Sequence, residues 1–584
     1  MFSLLITLGH NSSAIGIRDG NIIAAYEEER FTRNKSELKF PYNAIGKILD
    51  LAKPSLSENN IVMISHWFDA WNINASRVPL PFYDEEYINN LRKKFHFEML
   101  FVSPDCTHHD AHVYSVIAFA KNNMSEEDKY LKWHAIVSDG FGNQQEVMSV
   151  YEIDMTKRNP AVSCIQKIYG YTKSLGLLYQ FATTYCDMKE NQDEYKFLGY
   201  ETLILDCVTN EQLKKIDYYI EEFSDNYINE MANHNYREGL TSTCFINLDQ
   251  FELARNLFIE FYSNVLATAF PNSNLSKCDR RVIVGYAVQS IIEQVHHHLI
   301  NKYKIKNMML AGGLYYNVKL NNEILNNISG KLCVVPVAGD QGAAIGLYEK
   351  YVGHYPFASL LWGKRNISPE SKVHLISTAQ ASNIHCPQTE EELIEIVTNN
   401  LLNDHVINIV TANMEFGPRA LCNTSTLTLP TTANVNLINS INKRDTIMPM
   451  APVMSRLHTN HFFDESETKR VIGSDQYMIL TYNYLDSIQT NEFCKYSGIM
   501  HKHPIRHNTV TGRPQIVPNE YGYINSVLAA LDTHNTRALI NTSFNVHGEP
   551  IVYSAKDALN SFSMQLKEAQ LNNIDTKSVH LVLF

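Results

Sequence analysis

The chain has 584 residues, with 50 Lys plus Arg against 62 Asp plus Glu and a formal net charge of −12. At ~100–200 residues per domain this length predicts several cores. A composition of 45% hydrophobic and 19% charged residues excludes a disordered chain, and the acidic balance disfavours a dedicated polyanion binder, although a local basic groove can sit on an acidic protein. No apolar run approaches the ~18 residues of a membrane helix. The opening stretch Met1–Ile6 lacks a basic leader and reads as a strand, not a secretion signal. The ten cysteines show no CxxC spacing, so neither a disulfide framework nor a thiolate zinc site is expected. A reducing cytoplasm is the default compartment.

In chain order, Leu4–Leu8 is a short apolar strand and Ala14–Arg18 follows it. Asp19-Gly20 is a hairpin signal that returns Asn21–Glu27. Ala44–Ala52 has helical apolar spacing and Ile61–Ser65 is a buried strand. Ala135–Ser138 runs into the turn Asp139-Gly140, with Val147–Ile153 as hairpin partner. Ile283–Leu299 is a long helix. Met308–Leu310 runs into Ala311-Gly312-Gly313, and Leu332–Val337 into Ala338-Gly339-Asp340, with a helix from Gln341 to Lys350. The fold class expected is α/β, with functional loops at strand ends. The pattern weakens at 353–385, where a linker is placed. A second unit follows, with helix Glu391–Leu402, strand Val406–Thr411, strand Arg537–Asn541 and helix Ala555–Phe562. No internal repeat is visible.

Three groups carry chemistry. In Thr107-His108-His109-Asp110-Ala111-His112, a helix places His108 and His112 on one face, where two imidazoles can hold a divalent metal. Asp139 and Asp340, each after a buried strand, are candidate partners; the alternative is surface or capping histidines. The glycine turns at Gly312-Gly313, with Asn317 beyond, at Gly339-Asp340-Gln341-Gly342 and at Asp139-Gly140-Phe141-Gly142 suggest a phosphate cleft, since paired glycines let backbone N–H groups approach an anion. In the second unit Arg419, Lys443, Arg444 and Arg513, with Ser543 and Asn545, would line a pocket for a phosphorylated small anion. For any one of them solvated surface charge is the plainer reading. No GxSxG, HExxH or GxxxxGK[ST] motif is present, and the aromatic residues are not interleaved with basic clusters as a nucleic-acid platform requires.

These residues, in this order, resemble the O-carbamoyltransferases of the nodulation-factor and antibiotic-tailoring type. The likeness runs from Gly9-His10-Asn11-Ser12-Ser13-Ala14 and Tyr26–Arg33, through the His108–His112 stretch, Asp139–Gly142, Ser174–Tyr179 and Glu194–Gly199, to Ala311–Asn317, Gly339–Gly342, Glu415–Leu421 and Asn541–Pro550. The resemblance implies a sugar-kinase/actin-like N-terminal domain over 1–360, related to the tRNA threonylcarbamoyl-transfer enzymes. It also implies a YrdC-like domain over 361–584. The second would join ATP and carbamoyl phosphate into carbamoyl-adenylate, and the first would pass the carbamoyl group to an acceptor hydroxyl.

By the same resemblance His108, His112 and Asp340, with Asp139 as ligand or near neighbour, would hold a divalent metal: iron first, zinc or manganese as alternatives, with magnesium accompanying ATP. Gly312, Gly313 and Asn317, with Gly140 and Gly142, would hold the nucleotide. His10 would be a base beside the acceptor, and Asp139, Lys443 and Arg444 would also take part in catalysis. Arg419, Lys443, Arg444, Arg513, Ser543 and Asn545 would line the adenylation pocket. Three family arginines are replaced here, by Asn413, Thr424 and Met448, and the usual Asp after the first His is Asn11. Competing readings are a small-molecule kinase of the same fold and a non-catalytic nucleotide-binding protein. The acceptor, whether sugar, antibiotic-like alcohol, or hydroxymethylated nucleotide or DNA base, is left open. The loops expected to shape its pocket are 66–100 and 220–250. No membrane partner is expected, and a homodimer is the base-rate assembly.

Overall fold

The computed structural model describes residues 1–67, 84–102, 105–233, 248–270, 275–365, 383–444, 447, 449–506, 509–518 and 522–584. Much of the two loops expected to form the acceptor pocket, and Met448, lie outside these residues.

The N-terminal unit is built twice on one plan. Its first sheet has strands β1 (Phe2–Thr7), β2 (Ser13–Arg18), β3 (Asn21–Glu27), β4 (Asn60–Trp67) and β5 (Glu98–Val102), in the order β3-β2-β1-β4-β5. The β1–β2 and β2–β3 pairs are antiparallel, and β1–β4 and β4–β5 are parallel. The second sheet has β6 (Trp133–Ser138), β7 (Glu146–Asp154), β8 (Ala161–Tyr169), β9 (Asn307–Ala311) and β10 (Leu332–Val334). Its order is β8-β7-β6-β9-β10, again with two antiparallel pairs followed by two parallel ones. This repeat, invisible in the sequence, is the duplicated α/β plan of the actin-like nucleotidyl fold.

Helices His108–Asn123 and Asp340–Tyr351 pack against each other next to these sheets. Their approach is close because Gly346 has no side chain: a Cβ there would lie 1.7 Å from the Ala111 carbonyl oxygen. Gly342 does the same against the Val337 carbonyl, at 2.2 Å. Both contacts are to backbone, which cannot yield, so glycine is required at both positions.

The C-terminal unit is a mixed seven-stranded sheet. Its order is Ile384–His385, Val579–Leu583, Val406–Val410, Thr424–Thr428, Ala538–Ser543, Ala451–Ser455, Gln515–Val517. Helices Glu390–Leu402, Thr432–Ile441, Gly522–Asp532 and Ala555–Leu571 accompany it. This unit is interlocked with the N-terminal one. Between the last two strands named, residues 456–513 leave the sheet as an arm that packs on the N-terminal unit. Leu332 N donates to Arg470 O and Ile472 N to Leu332 O, each at 2.8 Å, so the arm covers the free edge of β10. Asn321 and Asn322 donate to the Ile479 and Thr481 carbonyls, each at 2.8 Å. Arm residues Phe462, Phe463, Val471, Tyr482 and Tyr484 share one hydrophobic core with β6 and β9.

A buried ionic group fastens this arm. Arg506 reaches Glu323 at 2.6 Å and Glu293 at 3.2 Å. Lys319 pairs with Glu201 at 2.7 Å, and His503 lies 3.6 Å from Glu201. Arg30 and Arg33 tie the units together elsewhere. Arg30 donates to Gly417 O at 2.9 Å, and Arg33 to Pro550 O and Ile551 O at 2.7 Å each.

Candidate functional site

Thr107 caps the His108–Asn123 helix, and a reciprocal capping box with Asp110 fixes its first turn. That turn aims His108 and His112 the same way. Asp139 arrives directly after β6, and Asp340 opens its own helix. The four side chains converge, with one ligating atom from each lying within 4.8 Å of all the others. His108 Nε2 is 3.2 Å from His112 Nε2, 3.2 Å from Asp139 and 3.4 Å from Asp340. His112 Nε2 is 3.3 Å from Asp139 and 3.7 Å from Asp340.

Both histidines are buried. Burial alone opposes protonation of His108, but the Asp139 and Asp340 carboxylates override it and raise its pKa to about 10. Burial also works against ionisation of the two carboxylates, and the paired imidazoles reverse that and hold both below the usual range. Without a cation, a proton must therefore stand between facing acceptors. Two imidazoles and two carboxylates around one point suit a divalent ion such as iron, zinc or manganese.

The Asp139 loop is braced from three sides. Asp139 Oδ1 accepts from Gly140 N at 2.9 Å and Gly313 N at 3.3 Å. Ser174 Oγ donates to Gly140 O at 2.5 Å while capping helix Leu175–Tyr185. Gly312 has φ +106°, and a Cβ there would lie 2.2 Å from Ser138 O. Its glycine thus serves the close approach of β9 to the Asp139 strand.

A cavity of about 430 Å³ adjoins this cluster. From the N-terminal unit His10, Asp139, Gly140, Gly313 and Asn317 line it; from the C-terminal unit Arg419, Arg444, Arg513, Ser543 and Asn545 do. The Asn317 side chain is committed to its own helix, accepting from Leu320 N at 2.9 Å and donating to Gln289 at 2.7 Å. Gly142 does not line the cavity; it packs beneath the histidines, where a Cβ would lie 3.2 Å from His108 Cβ. Lys443 stands apart as well. Its backbone is left-handed (φ 52°) and its exposed ammonium pairs with Glu568 at 2.7 Å, whereas Arg444 turns inward.

The arginines form the second focus. Glu415 accepts from Leu421 N, Asn423 N and Thr424 N at 2.7–3.0 Å, which folds the loop that presents Arg419. Burial lowers the pKa of Arg419 and Arg513, and for Arg513 the nearby Arg419 and Arg444 lower it further. Among the described residues no carboxylate pairs with Arg419 or Arg513. Two desolvated guanidiniums, with that of Arg444 beside them, make a receptor for a polyanion.

Sequence reasoning missed Glu27, Arg30, Tyr316 and Gln341, which also line the cavity. It missed Arg365 too. This buried guanidinium binds Thr424 Oγ1 and lies 3.5 Å from Asn413 O, beside two positions where family arginines are absent.

Residues 85–347 match the sequence model of the Carbamoyltransferase N-terminus, and residues 398–576 that of the Carbamoyltransferase C-terminus. The chain is 27% identical to protein MJ1051 of Methanocaldococcus jannaschii over 563 residues, covering 95% of both chains. It is 25% identical to nodulation protein NolNO of Sinorhizobium fredii over 580 residues, covering 95% of this chain and 77% of that one. Among solved structures, T. kodakarensis HypF aligns with 14% identity and a TM-score of 0.29, over 61% of this chain and 48% of that one. With both family halves matched in order, and the cavity drawing side chains from each, the chain belongs to the carbamoyltransferase family.

Proposed function

We propose that the protein is an O-carbamoyltransferase that joins ATP and carbamoyl phosphate into carbamoyl-adenylate at the arginine cluster and passes the carbamoyl group to an acceptor hydroxyl near His10. The observation that carries this reading is one cavity lined by the arginine cluster, in which Arg419 and Arg513 pair with no carboxylate among the described residues, and by Asp139 of the histidine–aspartate cluster. Arg419, Arg444 and Arg513 would bind and orient the phosphate groups, with Ser543 as a hydrogen-bonding neighbour. Their mutual repulsion would be relieved by the ligand's negative charge, so substrate binding and charge neutralisation coincide.

His108, His112, Asp139 and Asp340 would hold a divalent cation, which when bound would supply Lewis-acid polarisation of the carbamoyl carbonyl. His10, half-buried on the same cavity, is placed to accept the proton of the attacking hydroxyl. Sharing one cavity between the two groups would limit loss of the reactive adenylate to water.

The test is incubation with ATP, carbamoyl phosphate and a panel of sugars, alcohols and hydroxymethylated nucleotides. The expected result is pyrophosphate release and a product heavier by one carbamoyl group. ADP formation independent of carbamoyl phosphate would overturn the proposal.

A further inference from the structure

Between the two ends of the cavity, the loops that carry Asp340 and Arg419 touch. Gly417 packs on Val337, where a Cβ on the glycine would lie 3.2 Å from Val337 Cγ1. Val337 and Gly417 are three and two residues from Asp340 and Arg419, so this contact joins the two loops behind the cavity wall that Gly339, Pro418 and Arg419 form. Tyr316 lies on that wall. Its ring packs on Gly339, with a Cβ there 3.1 Å from Tyr316 Cε2. The phenol lies within electrostatic reach of Glu27, Arg419 and Asp340. Tyr316 lines the cavity and its hydroxyl is buried; the Gly339 backbone N–H is the internal group that faces its oxygen, and its O–H has no internal acceptor among the described residues.

A buried O–H with no acceptor is costly. Its neighbour Tyr315 has a role inside the fold, since its hydroxyl lies 3.0 Å from His296 Nε2. Tyr316 has no such use. A phenol at this point presents an O–H donor to whatever passes from the guanidiniums to the histidine–aspartate cluster. Negatively charged and carbonyl oxygens are the acceptors it suits.

We infer that the Tyr316 hydroxyl is a substrate-contacting hydrogen-bond donor that holds the acyl-phosphate group of the adenylate where the Asp340 and Arg419 loops meet. This assignment rests on the carbamoyl-adenylate reading above. The donor acts by retention: it keeps the mixed anhydride from diffusing out before an acceptor arrives.

The experiment uses the full chain, wild type and Tyr316→Phe, loaded with ATP and radiolabelled carbamoyl phosphate without any acceptor. Pyrophosphate release is measured, and the label remaining on the protein is followed after rapid gel filtration. Because the O–H has no internal acceptor, the variant should fold with a melting temperature close to that of the wild type. Both proteins should release pyrophosphate, and the variant should lose bound label about 10-fold faster or more, the worth of one hydrogen bond to a charged group. Equal retention with normal pyrophosphate release would overturn the tyrosine assignment alone. No carbamoyl phosphate-dependent pyrophosphate from wild type would overturn the functional reading and this inference with it.

Discussion

The Nε2 atom of His108 lies 3.2 Å from that of His112. The Asp139 and Asp340 carboxylates raise the His108 pKa to about 10, so in the cation-free protein His108 keeps its second proton at neutral pH. A divalent ion must displace it. Loading should therefore release about one proton per ion and strengthen as pH rises toward that value. Calorimetric zinc titration in buffers of different ionisation enthalpy measures this. His108→Ala or Asp340→Ala should lower bound metal per chain at least ~10-fold, as for loss of one ligand group. The sign for stability is the reverse. The raised His108 pKa stabilises the cation-free fold below the ordinary histidine pKa, and that contribution is lost as pH climbs through about 10.

Arg513 is predicted to destabilise the empty protein. It sits among like charges with burial already against it. Arg513→Met should leave the melting temperature unchanged or raise it, with a gain of ~1–3 kcal/mol. The same variant should lose most of the thermal shift that pyrophosphate gives the wild type. A variant that is much less stable yet keeps the full pyrophosphate shift would contradict the anion-receptor reading.

Acid should loosen the arm. Burial, aided by Lys319 and Arg506, lowers the pKa of His503 to about 4 and holds that of His501 well below the ordinary histidine value. A neutral buried histidine of this kind contributes stability above its unfolded pKa near 6.5, and loses it as pH falls toward the folded value. For His503 alone this amounts to ~3 kcal/mol. Hydrogen exchange across 456–513 at pH 7 and pH 5 should show selective deprotection of the arm at the lower pH. His503→Gln should flatten that dependence.

Two glycines beside Asp139 should behave oppositely. Gly312→Ala drives a methyl to 2.2 Å from a carbonyl oxygen at φ +106°, which predicts a loss above ~3 kcal/mol. Gly140→Ala meets nothing within 4 Å and should melt within about 0.5 kcal/mol of wild type, as open sites do. Comparing the two melts separates packing from ligand contact.

Much of this was legible in the residues. The strand at Asn21–Glu27 was read with its observed limits, because hairpin chemistry and alternation both act locally. The meeting of His108, His112, Asp139 and Asp340 was legible because helical spacing and strand-end carboxylates each point to one place. Lys443 and Arg444 show where local reading stops. Side by side they are the same kind of charge, and only a left-handed backbone at Lys443 sends one outward and the other in. The duplicated sheets were hidden because topology constrains strand order rather than residue identity. The arm was hidden because Phe462, Phe463 and Val471 read as core in any domain; nothing in their neighbours says whose core.

That arm has a further consequence for how the gene can be handled. A scissile site introduced near 382 would divide the polypeptide into fragments of which the second carries greasy side chains meant for the first, and the first keeps an uncapped strand at β10. Each fragment should be insoluble when made alone, and the pair should regain solubility on co-expression. The two halves are thus physically obliged to mature together.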